Sequence, residues 1–258
     1  MVIFGFVAFN SAIDKLNDEV DDNNKRKLEK ISVNINDILE NTKNNSLRIR
    51  FNSSINSLDL LNSPSDENKL IDILNEYKKN VPEADECMLF YKNSNQIYTS
   101  SGKYLSSIDE GNTMKFQEGA NEFFDSLNNC TVPSVEIINN LTLSQGEKKD
   151  VIAFHYPINS SAVVTYFISD ECLEDRIGSA FGDIKGRIYL FENQKGSHMN
   201  LSFEYTDQKW SIGDDFITSL INQRNNVAMK FKLSNVEFTA FKKQLPENNL
   251  VYIYIVPN

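Results

Sequence analysis

No glycine occurs between Gly5 and Gly102, and the only prolines in that interval are Pro64 and Pro82. A stretch that avoids both backbone breakers over such a length is committed to helix in its first part. Its apolar residues have the matching period. Ile13, Leu16 and Val20 step by three and four, Leu28, Ile31, Ile35 and Ile38 continue the steps, and Phe51, Ile55 and Leu58 close them. One stripe of this kind predicts a single helix over roughly Asn10 to Leu61, with Asp21, Asp22, Lys25, Arg26 and Lys27 on its other faces. Such a helix either packs only against its own domain or pairs through its first half with a second copy. In the paired reading the seam is Ile13, Leu16, Val20, Leu28, Ile31 and Ile35.

Two apolar runs flank the chain. Residues Val2 to Phe9 are almost wholly apolar but too few to cross a bilayer, which needs about 20. They are expected to be the last turns of a membrane span, residues 1–9 being its remnant. The second run, Leu250 to Val256, is rich in Val, Ile and Tyr, is followed by Pro257, and reads as a last strand. Between them lies an acidic body with a net charge of -10, a balance that argues against nucleic-acid binding by this segment and against lying on an anionic membrane face. With 40% hydrophobic and 11% aromatic residues the body is globular. The three cysteines, Cys87, Cys130 and Cys172, are scattered and odd in number, which suits isolated buried thiols better than a disulfide with one left over.

After the helix, Ser63-Pro64-Ser65-Asp66 is a fresh helix start, followed by Leu70, Ile73, Leu74 and Tyr77 at helical spacing. The pattern then changes to strands. Glu86–Tyr91 and Gln96–Ser100 flank a polar turn, Lys92 to Asn95, and Phe116–Leu127 is helical. Ser134–Leu143, Asp150–Pro157 and Ala162–Ile168 read as strands, and Ser169–Phe181 as a closing helix. A shorter version of the plan repeats. Arg187–Phe191 and Met199–Tyr205 are strands, Trp210–Asn222 a helix, and Val227–Leu233, Val236–Phe241 and Leu250–Val256 strands. Hairpin, helix and three-strand meander, twice over, give an α+β fold of two antiparallel sheets on one long N-terminal helix. Gly178, Gly182 and Gly186 fall between the two units and mark a loose junction.

This order resembles the double Cache fold, two PAS-like domains carried on a long helix in the extracellular part of bacterial chemoreceptors, histidine kinases and membrane-bound transcription regulators. The best local match is Asp150 to Pro157 followed by Val163 to Asp170, which looks like the passage closing the family's membrane-distal domain. Leu47 to Ile55 followed by Glu86–Tyr91 looks like sensors of Firmicutes regulators with an AraC-type DNA-binding domain. The resemblance implies a helix over 10–61, a membrane-distal domain over 62–182 and a membrane-proximal domain over 183–258. It also implies a small-molecule ligand in the distal domain, a homodimer in the full-length receptor, membrane attachment through flanking segments, and no cofactor.

Amino-acid-sensing members use a Tyr, an Arg two residues before a Trp-Tyr pair, and a late Asp that receives the ligand's amine. The single tryptophan here, Trp210, lies in the second half, so the Arg-x-Trp-Tyr element is missing and a ligand carboxylate has no obvious partner. Asp170 matches the late Asp by position and could hold an ammonium group, or else Ser169 or Asp170 simply caps the helix through Phe181. Phe116, Tyr156, Tyr166 and Asp170 are the candidate ligand-binding residues, drawn from a distal half rich in aromatics.

Nothing in the sequence marks an enzyme. There is no Gly-x-Ser-x-Gly elbow, no phosphate-binding glycine loop and no Cys-x-x-Cys, and the two histidines, His155 and His198, fall in different units. His155 alternates with Val151 and Ala153 on its strand, which suits a hydrogen-bonded or surface histidine. The expectation is an extracellular sensor domain of a signalling receptor. The competing expectation is a surface module that recognises protein or glycan, and a filled distal core with a broad exposed apolar patch would favour it.

Overall fold

The computed structural model describes residues 2–53, 55, 64–92, 96–105, 120–143, 147–181, 186–192, 197–203, 213–222, 228–233, 235–245 and 249–257. Its spine is α1 (Val2–Arg50), 49 residues long, which at 1.5 Å per residue is about 70 Å. The helix ends eleven residues before the predicted Leu61. Asn52 and Ser53 follow it, side chains that compete for backbone hydrogen bonds, and Phe51 N and Asn52 N close short bonds to Arg48 O and Ile49 O. Arg48 and Arg50 in the last turn suit the negative end of the helix dipole. Ile55 is fully buried, and its carbonyl accepts the Tyr91 hydroxyl at 2.7 Å; Leu58 lies outside the described residues.

The helix α2 (Pro64–Lys79) leads into a six-stranded antiparallel sheet of β1 (Glu86–Tyr91), β2 (Gln96–Thr99), β3 (Gly102–Leu105), β4 (Ser134–Thr142), β5 (Lys148–Pro157) and β6 (Ala162–Ser169). The strand order is β3-β2-β1-β6-β5-β4, and α3 (Ala120–Asn129) lies between β3 and β4 in sequence. The strand β3 extends the predicted hairpin by one. After β6 comes α4 (Asp170–Phe181), which Ser169 caps: its hydroxyl accepts the Cys172 N–H at 3.3 Å. The second sheet has five strands, β7 (Arg187–Glu192), β8 (His198–Ser202), β9 (Met229–Leu233), β10 (Val236–Gln244) and β11 (Leu250–Pro257), in the order β8-β7-β11-β10-β9, with α5 (Asp214–Ile221) before β9. Trp210 lies outside the described residues.

One continuous apolar cluster joins the parts. Leu28, Ile31, Ile35, Ile38, Leu39 and Ile49 of α1 pack with Leu70 and Leu74 of α2, with Leu89, Phe154 and Tyr166 of the first sheet, and with Leu190, Phe241 and Tyr254 of the second. Leu28, Ile31 and Ile35 are 0–3% exposed, so three of the six seam positions are buried in their own body. Ile13, Leu16 and Val20 stay 40%, 61% and 57% exposed, because α1 runs past the body over residues 11–20. The polar residues on the buried side of α1 spend their hydroxyls within the helix, Ser32 on Glu29 O, Thr42 on Leu39 O and Ser46 on Thr42 O.

Hydrogen bonds tie the sheets together beyond α1. Ile137 N–H donates to Glu192 Oε2, Asn139 Nδ2 to His198 O, and Ser202 N–H to Glu174 Oε1 at 2.6 Å. Both chain ends leave the body at the same end. Asp21 pairs with Lys230, Lys230 stands opposite Thr239, and Thr239 opposite Val256 near the close of β11. Among the described residues no helix is long and apolar enough to cross a membrane.

Two glycines of the 178/182/186 series have opposite roles, and Gly182 lies outside the described residues. Gly186 has φ +118°, and a Cβ there would stand 2.2 Å from Ile255 O, so the start of β7 requires glycine. Gly178 sits inside α4 with open space around its Cβ position. Gly186→Ala is expected to cost about 3 kcal/mol of stability and Gly178→Ala to add about 0.5–1 kcal/mol, both read by chemical denaturation.

Candidate functional site

The first sheet has two buried faces, and they differ in chemistry. Along β5, Ile152, Phe154 and Tyr156 face α1 and α2, whereas Val151 and Ala153 join Met88, Phe90, Val163 and Phe167 under Phe123 and Leu127 of α3. By alternation His155 belongs to the α3 side, and its ring lies 5.6 Å from that of Phe123.

The cross-strand register sets out a polar row through this apolar face. Thr99 on β2 stands opposite Met88 on β1, Met88 opposite Thr165 on β6, Thr165 opposite His155 on β5, and His155 opposite Ser134 on β4. The next row is Glu86, Phe167, Ala153 and Glu136, with a carboxylate at each end. Thr99, Thr165 and His155 are 0–2% exposed. His155 Nδ1 shares a 2.9 Å hydrogen bond with Thr165 Oγ1, and its Nε2 lies 3.4 Å from Glu136 Oε2. The Ser126 hydroxyl of α3 is shared between Phe123 O at 2.8 Å and Glu136 Oε2 at 3.1 Å. Glu86 accepts the hydroxyls of Ser100 and Ser101.

Hydroxyl, imidazole and carboxylate in contact have the composition of a hydrolase triad, but not its geometry. Thr165 is fully buried in β6, a strand flanked by β1 and β5, so the amides around it are engaged in ladders and form no oxyanion hole. What the row offers is hydrogen-bonding groups fixed in an apolar frame, which suits orienting a small polar molecule rather than attacking one. Among the described residues no group of three or more His, Cys, Asp or Glu side chains is placed to hold a metal.

The residues singled out from the sequence are dispersed. Tyr156 lies on the α1 side, its hydroxyl donating to Leu39 O at 3.1 Å and meeting Thr42 Oγ1 at 3.1 Å, and burial pushes its pKa up to about 12. Tyr166 is on the same side beside Cys87, and burial raises its pKa further. Asp170 opens α4, five residues beyond Thr165, and its carboxylate accepts the Glu171 N–H at 2.9 Å. Burial, with Asp150 nearby, raises its pKa. Phe116 lies outside the described residues. Of the three described, Tyr156 and Tyr166 share a face, the one packed on the spine, and Asp170 stands apart at the start of α4. The His155 row was within reach of the alternation along β5, but its partners on β2, β4 and β6 depend on register.

The three cysteines are free thiols, and burial raises the pKa of each, which keeps them unreactive. A groove of about 520 Å³ between α1 and β10 is lined by the ion pairs Asp22–Lys25 and Glu29–Lys243 together with Arg26 and Lys242.

No family model and no curated protein sequence matches the chain. Solved structures do match over nearly its whole length. The sensory domain of the Campylobacter jejuni chemoreceptor Tlp3 with isoleucine bound aligns over 95% of this chain and 95% of its own, with a TM-score of 0.60 and 13% identity. The Tlp3 ligand-binding domain in complex with L-norvaline gives 0.62 over 94% and 92%, also at 13% identity. The extracellular domain of the histidine kinase designated soHK1S-Z6 gives 0.60 over 97% of both chains at 14% identity. At such identities the likeness establishes the fold, a long N-terminal helix followed by two PAS-like sheets.

Two substitutions test the assignments made from this geometry. Tyr156→Phe is expected to cost about 1 kcal/mol, the loss of a buried hydroxyl bonded to the spine. Asp170 has a folded pKa above its unfolded value, so ionising it disfavours the fold, and its contribution is lost as pH rises through the folded pKa. Asp170→Asn keeps the local acceptor and is expected to raise the melting temperature by about 1–3 °C at pH 7. It should make no difference below the ordinary carboxylate range, as read by calorimetry across pH.

Proposed function

We propose that the chain is the extracellular ligand-sensing part of a bacterial membrane receptor, with α1 as spine, a distal sensor over residues 62–182 and a proximal domain over 183–258. The reading is carried by the buried polar row of Thr99, Thr165 and His155 beside Glu136, set into the α3-side face of the distal sheet. Burying such groups is costly unless they are satisfied, and a face that keeps several of them suits a ligand site. The shared fold supports it: the neighbouring structures are sensory domains of chemoreceptors and histidine kinases, some with isoleucine or L-norvaline bound. A kinase or chemotaxis output fits those neighbours, and an AraC-type output draws no support from them. The exit of both chain ends on one side suits attachment to a membrane there.

The ligand is a small molecule held at the α3-side face of the first sheet. Tyr156 and Tyr166 serve to seat the sheet on the spine. The competing interaction module needs a broad exposed apolar patch. Among the described residues beyond α1, Phe51 and Val132 are the exposed large hydrophobics, and they are isolated from each other in the sequence.

A thermal-shift panel of L-isoleucine, L-valine, other amino acids, amines and short carboxylic acids tests the reading. A ligand at 100 times its dissociation constant adds about 2.7 kcal/mol, a rise of about 5–10 °C for a chain of this size. His155→Gln and Phe116→Ala are expected to abolish the shift, whereas Tyr156→Phe retains it. A panel without a stabiliser, or a shift that survives both substitutions, overturns the distal assignment.

A further inference from the structure

The groove between α1 and β10 carries a charge opposite to that of the chain. Acids outnumber bases by 36 to 26 over the whole sequence, yet four cations and two carboxylates line this one place. Lys25 and Arg26 come from α1, Lys242 and Lys243 from β10, and Asp22 and Glu29 are the acids. Cations therefore face cations across the junction of two packed elements. Setting like charges against each other is costly, and a junction that only had to close would match its charges.

Both acids are engaged on cations of the lining, Asp22 with Lys25 at 3.4 Å and Glu29 with Lys243 at 3.3 Å. Arg26 donates its Nε–H to Asp22 O at 3.3 Å and makes no ion pair among the described residues. Lys242 is 8% exposed, its ammonium donates to Ile221 O, and burial lowers its pKa. An ammonium held in that way gains from an anion brought beside it. Leu28 and Phe241, both buried, supply the apolar part of the lining. The volume, about 520 Å³, is that of a small-molecule site.

We propose that this groove binds a short aliphatic dicarboxylate, with one carboxylate on the Arg26 guanidinium of α1, the other on the Lys242 ammonium of β10, and the carbon stem over Leu28 and Phe241. A guanidinium presents a planar fork that takes a carboxylate through two parallel hydrogen bonds, and an ammonium is a compact charge with three donors. A monocarboxylate satisfies one wall and leaves the other. Phosphate has no stem to cover the apolar lining. Bound there, the dicarboxylate bridges α1 and the second sheet at the point where α1 leaves the body. The groove shares no residue with the polar row of the first sheet, so the two sites stand or fall separately.

The test is isothermal titration calorimetry of the 258-residue chain in detergent micelles at constant ionic strength. The probes are malonate, succinate, glutarate, acetate, propionate and inorganic phosphate. One of the three dicarboxylates is expected to bind once per chain, at least about tenfold tighter than the monocarboxylates or phosphate. Arg26→Gln and Lys242→Met are each expected to weaken it about tenfold or more, the loss of a charged hydrogen-bond partner. Arg26 is exposed, so its replacement probes the groove without disturbing the core. Lys43→Gln makes the same charge change on α1 outside the groove and should leave the affinity within about twofold. Dicarboxylates that bind no tighter than acetate overturn the proposal, as does phosphate binding tighter than all three. An affinity unchanged in Arg26→Gln overturns it too. Dicarboxylate binding that survives Arg26→Gln but is lost in His155→Gln belongs to the α3-side face and counts against the groove.

Discussion

The fold depends on one contact surface, the apolar side of α1 from Leu28 to Ile49. Neither sheet could bury its spine-side face alone, and both close against the same helix, in a single cluster running from Leu89 and Tyr166 to Leu190 and Tyr254. At roughly 25 cal/mol per Å2 of apolar surface removed from water, such a surface outweighs any single polar interaction in the molecule. It also makes α1 a mechanical reference, because both domains are positioned by what they bury on it. The three hydrogen bonds from β4 and α4 to the second sheet then fix how the domains lie along that reference.

The two faces of the first sheet differ in what they bury. The spine face is closed by aromatic residues, and the Tyr156 hydroxyl bonds to a helix carbonyl, so this face acts as a joint. The α3 face keeps His155, Thr165 and Glu136 within an apolar surround. The strand β6 connects the two roles. It carries Thr165 on one side and Tyr166 on the other, and it continues into α4, whose Glu174 binds the second sheet at Ser202. Thr165 and His155 therefore lie on and beside a strand that is packed on the spine and linked through α4 to the second sheet.

How much of this could be read in advance varied with the range of the interaction. Helix and strand identities followed from local pattern: the steps of Ile31, Ile35 and Ile38, the β-branched and aromatic runs of β6 and β11, and the capping of α4 by Ser169. The end of α1 did not, because the apolar spacing continues through Ile55 although Asn52 and Ser53 turn the chain away. The candidate ligand residues come from the aromatics of the first unit together with Asp170. Local pattern leaves open which surface each one faces: an even-numbered residue on β5 looks at α1 and an odd-numbered one at α3, so Tyr156 and His155 have opposite surroundings.

The sequence by itself determined the element order, the doubled hairpin–helix–meander plan and the presence of one long helical spine, since each rests on hydrophobic period and on where glycine and proline are absent. Only the tertiary structure decided which half of the α1 stripe is spent on the body and which is left exposed, for Ile13 and Ile31 have the same residue type and the same periodicity. Only it placed His155 beside Thr165 and Glu136, residues 10 and 19 positions away along the chain. The reason is the same in both cases. Local pattern states that a side chain will be buried, but cross-strand register and the reach of the packed body state against what.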